Sequence, residues 1–274
     1  MDFVNKLIEL LLATNILVAV LIFIVGRRIE RIRPVQPNQP RNDIVLDGVY
    51  AVAQQTIFHV SAPFWESIAI ILVNAAGGGL MVLRIDGAWF FASLVIWLVT
   101  VDFLEYLWHR AQHAWAPLWA MHSLHHSEES INVLTAYRAF WLEFWIKIIV
   151  VYPIAGILFK APPILLFVAA VIHLLNDNWA HLNLRLSFGR LSLFFQNPQF
   201  HRIHHSTKPE HLNKNFSALL PIWDLLFGTV WKPLPGEFPD TGLIPREVPA
   251  SIFEALLWPF RARRLSPGKA GISG

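Results

Sequence analysis

The sequence predicts an all-α, integral-membrane helical bundle of four to five transmembrane helices with a cytoplasmic, His-rich, metal-binding cap. Three observations indicate this fold class. Of the 274 residues, 55% are hydrophobic and 15% are charged, whereas a soluble domain is usually about 25% charged. Several apolar stretches approach the roughly 20 residues that a helix needs to cross a bilayer. Finally, the 12 histidines, apart from His59, are concentrated between residues 109 and 211.

Five apolar stretches are predicted to cross the membrane: residues 7–25, 64–83, 88–108, 139–159 and 162–180. Four arginines follow the first stretch in place of a small-residue cleavage site, so we interpret it as a signal anchor. Very short loops join the other four stretches into two antiparallel pairs. Residues 34–63 are expected to lie on the membrane surface or to re-enter it, and the sequence leaves both options open.

The distribution of Lys and Arg predicts the orientation of the chain. On one side of the five stretches the loops carry 5, 2 and 11 basic residues, and on the other side only Lys6, Arg84 and Lys160. Basic loops stay in the cytoplasm, so the amino terminus is expected outside and the carboxyl terminus inside. The same topology places the His-rich segments at the cytoplasmic end of the bundle, in a bacterial inner membrane or the endoplasmic reticulum.

Three histidine motifs indicate a metal centre: one HxxxH and two HxxHH. Residues spaced i, i+3 and i+4 share a helix face, and neutral imidazole is the commonest metal ligand. The absence of cysteine excludes a disulfide framework, a Cys-ligated site and a Cys nucleophile. The predicted ligands exceed what one ion can hold, which indicates two ions. They are His109, His113, His122, His125, His126, His181, His201, His204 and His205.

Other ionisable residues near the motifs are candidates for supporting roles. Asp102 and Glu105 lie at the end of the third stretch, where a carboxylate can accept a hydrogen bond from a ligating imidazole. Glu143 and Lys147, four residues apart, are expected to pair with each other. His173 lies deeper in the membrane and its role as a ligand stays open. His59 and His211 are expected to lie outside the site.

The motifs together resemble the fatty acid hydroxylase / sterol desaturase superfamily, and the run around residues 126–138 resembles its alkylglycerol monooxygenase-like branch. The resemblance covers roughly residues 90–231. It is carried by the segments 102–113 (DFLEYLWHRAQH), 119–127 (WAMHSLHHS), Asn132 with 135–138 (TAYR), 180–183 (AHLN), 198–206 (PQFHRIHHS), 215–216 (NF) and 222–229 (IWDLLFGT).

This resemblance implies a membrane di-iron oxygenase, an oxidoreductase that uses O₂ as co-substrate and external electrons to hydroxylate or desaturate a lipid. The substrate would be a fatty acyl, alkyl-ether or sterol molecule from the bilayer. The nine histidines would hold two Fe ions, with Zn possible in purified protein. Arg138 becomes a further candidate for support of the site. We expect no fused cytochrome b5 domain, and therefore a separate protein as the electron donor. No nucleic-acid partner is expected.

The chain is accordingly divided into a membrane anchor and linker (1–63), a fatty acid hydroxylase-like catalytic domain (64–232) and a Pro/Gly-rich tail (233–274). The tail carries an amphipathic patch at 251–264 that predicts an interfacial helix. Two other functions stay open from the residues alone. A dizinc hydrolase would use metal-bound hydroxide, and a metal-binding transporter would place its ligands near the membrane midplane. The sequence does not indicate the oligomeric state.

Overall fold

A computed structural model describes residues 17–261 of the chain. The predicted first span, 7–25, therefore lies mostly outside the described residues, and its described part belongs to a helical segment, α1, at residues 17–30. As predicted, the described chain is mostly helical, and four of its helical segments are long and apolar enough to cross a membrane. These segments are Arg41–Ala75 (α2), Trp89–Ala114 (α3), Trp141–Leu158 and Pro163–Ala180 (α7).

Shorter elements complete the described fold. The third membrane segment consists of two helices, Trp141–Val150 (α5) and Tyr152–Leu158 (α6), and Pro153 at the start of α6 explains the break because proline has no N–H to donate. The other short helices are Ala116–His126 (α4), Pro198–His204 (α8), Ile222–Leu226 (α9), Ile252–Leu256 (α10) and Trp258–Arg261 (α11), with 3₁₀ turns at Val133–Tyr137, Gly189–Leu193 and Pro209–His211. Two short parallel strands, Met81–Val82 (β1) and Phe159–Lys160 (β2), pair at the end of the bundle away from α4 and α8.

The second span was predicted with the wrong bounds. Residues 41–63, expected in a surface or re-entrant linker, form the first part of the 35-residue helix α2. The predicted span 64–83 ends early, because Gly77 and Gly79 adopt positive φ angles of 72° and 83° just after the helix. Glycine takes this left-handed conformation without steric cost, and it commonly terminates helices. The chain then turns against α6, where Gly79 N–H donates to the Gly156 carbonyl at 3.0 Å.

Apolar side chains cover the outside of the membrane segments, as expected for surfaces that face lipid. Ile71 on α2, Phe91 on α3 and Phe167 on α7 are all more than half exposed. The cap has its own apolar core, in which Tyr50 and Leu124 pack with Trp258 of the tail. The patch at 251–264 forms the two short helices α10 and α11 within the described residues, and Phe253, which is exposed, leaves an apolar surface there.

Candidate metal centre

Nine imidazoles converge in two adjacent groups at one end of the bundle. In each group the potential ligand atoms all lie within 4.8 Å of one another. We call these groups the five-His cluster and the four-His cluster. The first contains His109, His113, His122, His126 and His204, and the second contains His125, His181, His201 and His205. They are the nine residues singled out from the sequence. That they bind metal remains a prediction.

Each HxxHH motif contributes two histidines to one cluster and one histidine to the other. On α4, the outer pair, His122 and His126, belongs to the five-His cluster, whereas His125 belongs to the four-His cluster. On α8 the outer pair belongs to the four-His cluster and only His204 joins the five-His cluster. Consecutive residues on a helix do not face each other, so His125 and His126 enter different clusters, as do His204 and His205. The two clusters therefore share both helices.

A break between α3 and α4 brings the first two motifs together. Trp115 is extended (φ −107°, ψ 122°), and Pro117 stands in the first turn of α4. Proline is favoured there and cannot continue the preceding helix. The two helices therefore fold against each other instead of forming one rod. As a result His109 Nε2 lies 3.0 Å from His122 Nε2.

Helix α8, which carries the last motif, starts at a strong local signal. Asn197 is its N-cap and accepts a hydrogen bond from the Phe200 N–H at 3.2 Å, and Pro198 follows at the first helical position. Both residues are preferred at these places. The Nε2 atom of His201 on this helix lies 3.2 Å from that of His205, the residue at its C-cap. The Asn197 N-cap thus fixes the start of a seven-residue helix whose histidines lie on adjacent faces.

Backbone carbonyls fix the tautomer of two imidazoles in the five-His cluster. His109 Nδ1 lies 2.7 Å from the Phe216 carbonyl oxygen, and His204 Nδ1 lies 2.8 Å from the Lys214 carbonyl oxygen. A carbonyl only accepts, so each Nδ1 carries the proton and each Nε2 keeps its lone pair. His204 Nε2 is buried and has no hydrogen-bond partner. A ring held in this way presents its free nitrogen to a cation.

The loop that supplies these carbonyls has an unusual backbone. Asn213 and Asn215 have φ angles of 57° and 59°, a left-handed conformation that asparagine tolerates better than most residues. The carboxylate of Asp224 accepts hydrogen bonds from the Phe216 and Ser217 N–H groups, each at 2.8 Å. These residues position the loop against the histidines. The sequence alone indicated no role for them beyond the part of the family resemblance carried by 215–216 and 222–229.

Each cluster also has one imidazole next to a carboxylate. His122 Nδ1 lies 3.1 Å from Glu143 Oε1, and both residues are buried. His181 Nδ1 lies 2.7 Å from the Asp177 carbonyl and 3.3 Å from its carboxylate, which is 57% exposed. The first pair is sealed in the bundle and the second reaches solvent. We therefore expect Glu143 to have the larger influence on its imidazole.

The expected pairing of Glu143 with Lys147 is wrong. Lys147 Nζ lies 3.0 Å from Glu105 Oε1, and Glu143 turns to His122 instead. Both pairs connect different helices of the bundle. Glu105 accepts hydrogen bonds from Lys147 and Tyr152.

Asp102 supports the site from a distance. Its carboxylate accepts hydrogen bonds from the Leu219 N–H at 2.7 Å, the Leu220 N–H at 3.0 Å and the indole N–H of Trp223 at 2.8 Å. Asp102 is fully buried. It therefore anchors residues 219–223 to α3, and these residues directly follow the loop that supplies the carbonyls.

Arg138 forms a buried ion network at the edge of α4. Its guanidinium donates to Asp47 Oδ1 at 2.8 Å, to Glu128 and to Ser127 Oγ at 3.1 Å. All four residues are buried. Asp47 lies on α2, so the network connects that helix to the residues that directly follow the HxxHH motif of α4.

The arrangement of the imidazole nitrogens fits metal binding better than it fits a network of hydrogen bonds. In the four-His cluster, His181 Nε2 lies 2.9 Å from His201 Nε2 and 3.2 Å from His125 Nε2. A single ring nitrogen has either one proton or one lone pair, so it cannot satisfy both contacts well. Two nitrogens bound at about 2.1 Å to one ion, at right angles, would be about 3.0 Å apart. The observed separations match those expected for ligands around a shared cation.

Five buried histidines outside the membrane segments are held in the neutral form. Burial lowers the pKa of His204 to about 3. Burial, followed by repulsion from neighbouring imidazoles, also lowers the pKa of four others well below the usual value, namely His125, His126, His201 and His205. The neutral ring is the metal-binding form.

Removal of the Glu143 carboxylate should weaken metal binding. We expect Glu143→Ala to lower the metal affinity of the five-His cluster by about 10- to 100-fold, because a buried partner that orients an imidazole typically contributes that much. Competition with a chelator, followed by determination of metal per chain, measures the effect. Asp177→Asn is the control at the more exposed carboxylate and should have a smaller effect. Wild-type affinity in Glu143→Ala would refute the orienting role.

The fold and the site together define an integral-membrane protein with a His-rich centre able to hold metal. Residues 94–229, about half of the chain, match the model of the fatty acid hydroxylase family. It is 36% identical over 129 residues to alkylglycerol monooxygenase from Homo sapiens, covering 47% of this chain and 28% of the relative. It is 36% identical over 146 residues to the Danio rerio alkylglycerol monooxygenase, covering 53% and 31%.

A bacterial relative matches a similar region. The chain is 34% identical over 152 residues to ornithine lipid hydroxylase OlsE from Rhizobium tropici, covering 55% of this chain and 45% of the relative. The matches thus span about a third of the alkylglycerol monooxygenases and less than half of the bacterial enzyme. No solved structure matches the chain.

Proposed function

We propose that the chain is a membrane-bound di-iron oxygenase that hydroxylates or desaturates a C–H bond of a lipid. The observation that carries the proposal is the pair of adjacent clusters built from imidazole alone, without a carboxylate among the grouped ligand atoms of the described residues. Hydrolytic two-metal sites usually mix carboxylates with histidine. When bound and reduced, two iron ions at such imidazoles would supply the activation of O₂.

The residues of the chain hold and shield this chemistry. The nine histidines would be the ligands, His109 and His204 with their tautomers set by the loop carbonyls. The apolar membrane helices would guide a lipid from the bilayer to the clusters and would exclude water from the reacting carbon. The names of the relatives, alkylglycerol monooxygenase and ornithine lipid hydroxylase, favour a lipid substrate. We assign the catalytic domain to residues 64–232, with a separate protein as the electron donor.

The asymmetry of Lys and Arg in the loops supports a site on the cytoplasmic side, in a bacterial inner membrane or the endoplasmic reticulum. Glu210 lies in the cap, in the 3₁₀ turn that follows α8, and the chain contains no native cysteine. A cysteine introduced as Glu210→Cys should react with an impermeant thiol reagent only from the cytoplasmic face. Reaction from the outer face alone would refute this orientation.

The function is tested with purified, iron-loaded protein and two probe lipids, 1-O-hexadecylglycerol and an ornithine lipid. We expect at least one probe to gain one oxygen or lose two hydrogens, as measured by mass spectrometry, and only when both O₂ and a reductant are present. A hydrolase requires neither. Cleavage of a probe under anaerobic conditions with zinc bound would refute the oxygenase and favour the dizinc hydrolase.

A further inference from the structure

Four polar side chains meet between the membrane segments, outside the two His clusters. Glu105 of α3 lies 3.0 Å from Lys147 Nζ of α5 and accepts a hydrogen bond from the Tyr152 hydroxyl of α6 at 3.1 Å. His173 of α7 is close enough to interact electrostatically with Glu105 and Lys147, and its Nε2 is buried without a partner. We call this group the intramembrane polar cluster. The helices α3, α5, α6 and α7 contribute one residue each.

Helix packing alone does not account for such a cluster. Ionisable side chains at membrane depth are costly, and an apolar pair of similar size often stabilises a protein as well as a buried ion pair does. The ion pair of Lys147 and Glu105 is also partly open to its surroundings, since these side chains are 19% and 15% exposed. A molecule that approaches from the bilayer could therefore reach these charges.

The hydrogen-bonding groups that remain unused in the cluster are mainly N–H donors. Both carboxylate oxygens of Glu105 already accept hydrogen bonds, from Lys147 and Tyr152. An ammonium carries three N–H groups, and among the described contacts Lys147 donates only to Glu105. The ion pair has no net charge. The cluster is thus suited to an uncharged oxygen that accepts hydrogen bonds, such as an ether, an ester carbonyl or a hydroxyl.

The cluster adjoins the five-His cluster on its membrane side. Glu105 precedes His109 by one helical turn, about 6 Å along α3. Lys147 follows Glu143 by one turn on α5, and Glu143 contacts His122. A lipid that enters from the bilayer and presents a carbon to the histidines would therefore place its neighbouring atoms beside the polar cluster.

We propose that the intramembrane polar cluster binds an uncharged, oxygen-bearing group of the lipid substrate and thereby selects a carbon a few bonds from that oxygen. Lys147 is the principal donor, and Glu105 with Tyr152 holds its ammonium in place. The unpartnered Nε2 of His173 is a second donor in the tautomer that carries its proton on this nitrogen. The inference rests on the proposed function, because it names the substrate class of the same site: lipids oxidised near a polar group, as opposed to the middle of an alkyl chain.

The test compares equilibrium binding of 1-O-hexadecylglycerol with that of n-nonadecane, a hydrocarbon of similar length, to the full chain in detergent micelles by native mass spectrometry. We expect the wild type to prefer the ether lipid by about tenfold or more, the range for a hydrogen bond to a charged group. Lys147→Met should abolish this preference, and Lys147→Arg should keep most of it. Lys160→Met, at the far end of the bundle, is the matched control.

Metal content, measured on each sample, separates a binding effect from a folding defect. If Lys147→Met does not fold, His173→Leu tests the second donor and should reduce the preference severalfold without loss of metal. Equal binding of the two probes by the wild type, or an unchanged preference in every folded variant, would overturn the subsite. A preference that is present in a protein without O₂-dependent turnover would leave the subsite standing and refute the oxygenase.

Discussion

Replacement of His125 with alanine is expected to remove one metal ion per chain, abolish turnover and leave the other ion bound. His125 is one of four ligand candidates in its cluster among the described residues, and its Nε2 lies 3.2 Å from His181 Nε2. His204→Ala should remove the other ion, because His204 belongs to the five-His cluster although it is adjacent to His205. Metal analysis and Mössbauer spectroscopy of iron-loaded protein would measure both effects.

The pairing of single and double variants makes this prediction specific. His125→Ala combined with His181→Ala should lose no more metal than His125→Ala alone, since both changes affect the four-His cluster. His125→Ala combined with His204→Ala should bind almost none. His59→Ala, outside both clusters, serves as the control and should keep the full metal content. Full activity or two bound ions in either single variant would contradict the proposed centre.

The participating histidines could be predicted from the sequence, but their division into two clusters could not. Spacing of i and i+4 places His122 and His126 on one face of a helix, and this local geometry is correct. Whether His125 joins them depends on where α8 and the end of α7 pack, which is a tertiary property. The sequence therefore predicts the number of ions and leaves the ligands of each one open.

The supporting residues were harder to predict, because two of them act through their backbone. The carbonyls of Lys214 and Phe216 contact imidazoles, and any residue type has a carbonyl. Glu143 was expected to pair with Lys147 on the same helix. A pair of opposite charges four residues apart on one helix contributes little. The contacts between helices therefore determine the partners: Glu143 pairs with His122, and Lys147 pairs with Glu105.

The bounds of α2 were missed for a related reason. Asp47 and Gln54 interrupt the apolar pattern of residues 41–63, which indicated a linker, yet both side chains are buried in the helix. Asp47 faces the cap, where it accepts hydrogen bonds from Asn132 and Arg138. A hydropathy pattern does not distinguish an exposed acid from one that is paired inside the protein.

Removal of the Arg138 guanidinium should cause the largest loss of stability among the changes considered. Arg138→Met would leave the buried carboxylates of Asp47 and Glu128 without their cation. Breaking a buried ion pair in this way typically costs about 3–5 kcal/mol. We expect a large drop in the unfolding temperature in detergent. Metal should also be lost more readily, because Arg138 contacts Ser127 at the end of α4.

A second arginine provides the matched control. Arg246 forms an equally direct pair with Glu129, but its side chain is 75% exposed, so Arg246→Met should change the unfolding temperature little. Neutralising the partners in Arg138→Met, through Asp47→Asn and Glu128→Gln, should recover part of the lost stability, since the penalty comes from the unpaired charges. Equal effects of the two arginine variants, or no recovery in the triple variant, would show that Arg138 does not stabilise the cap as an ion network.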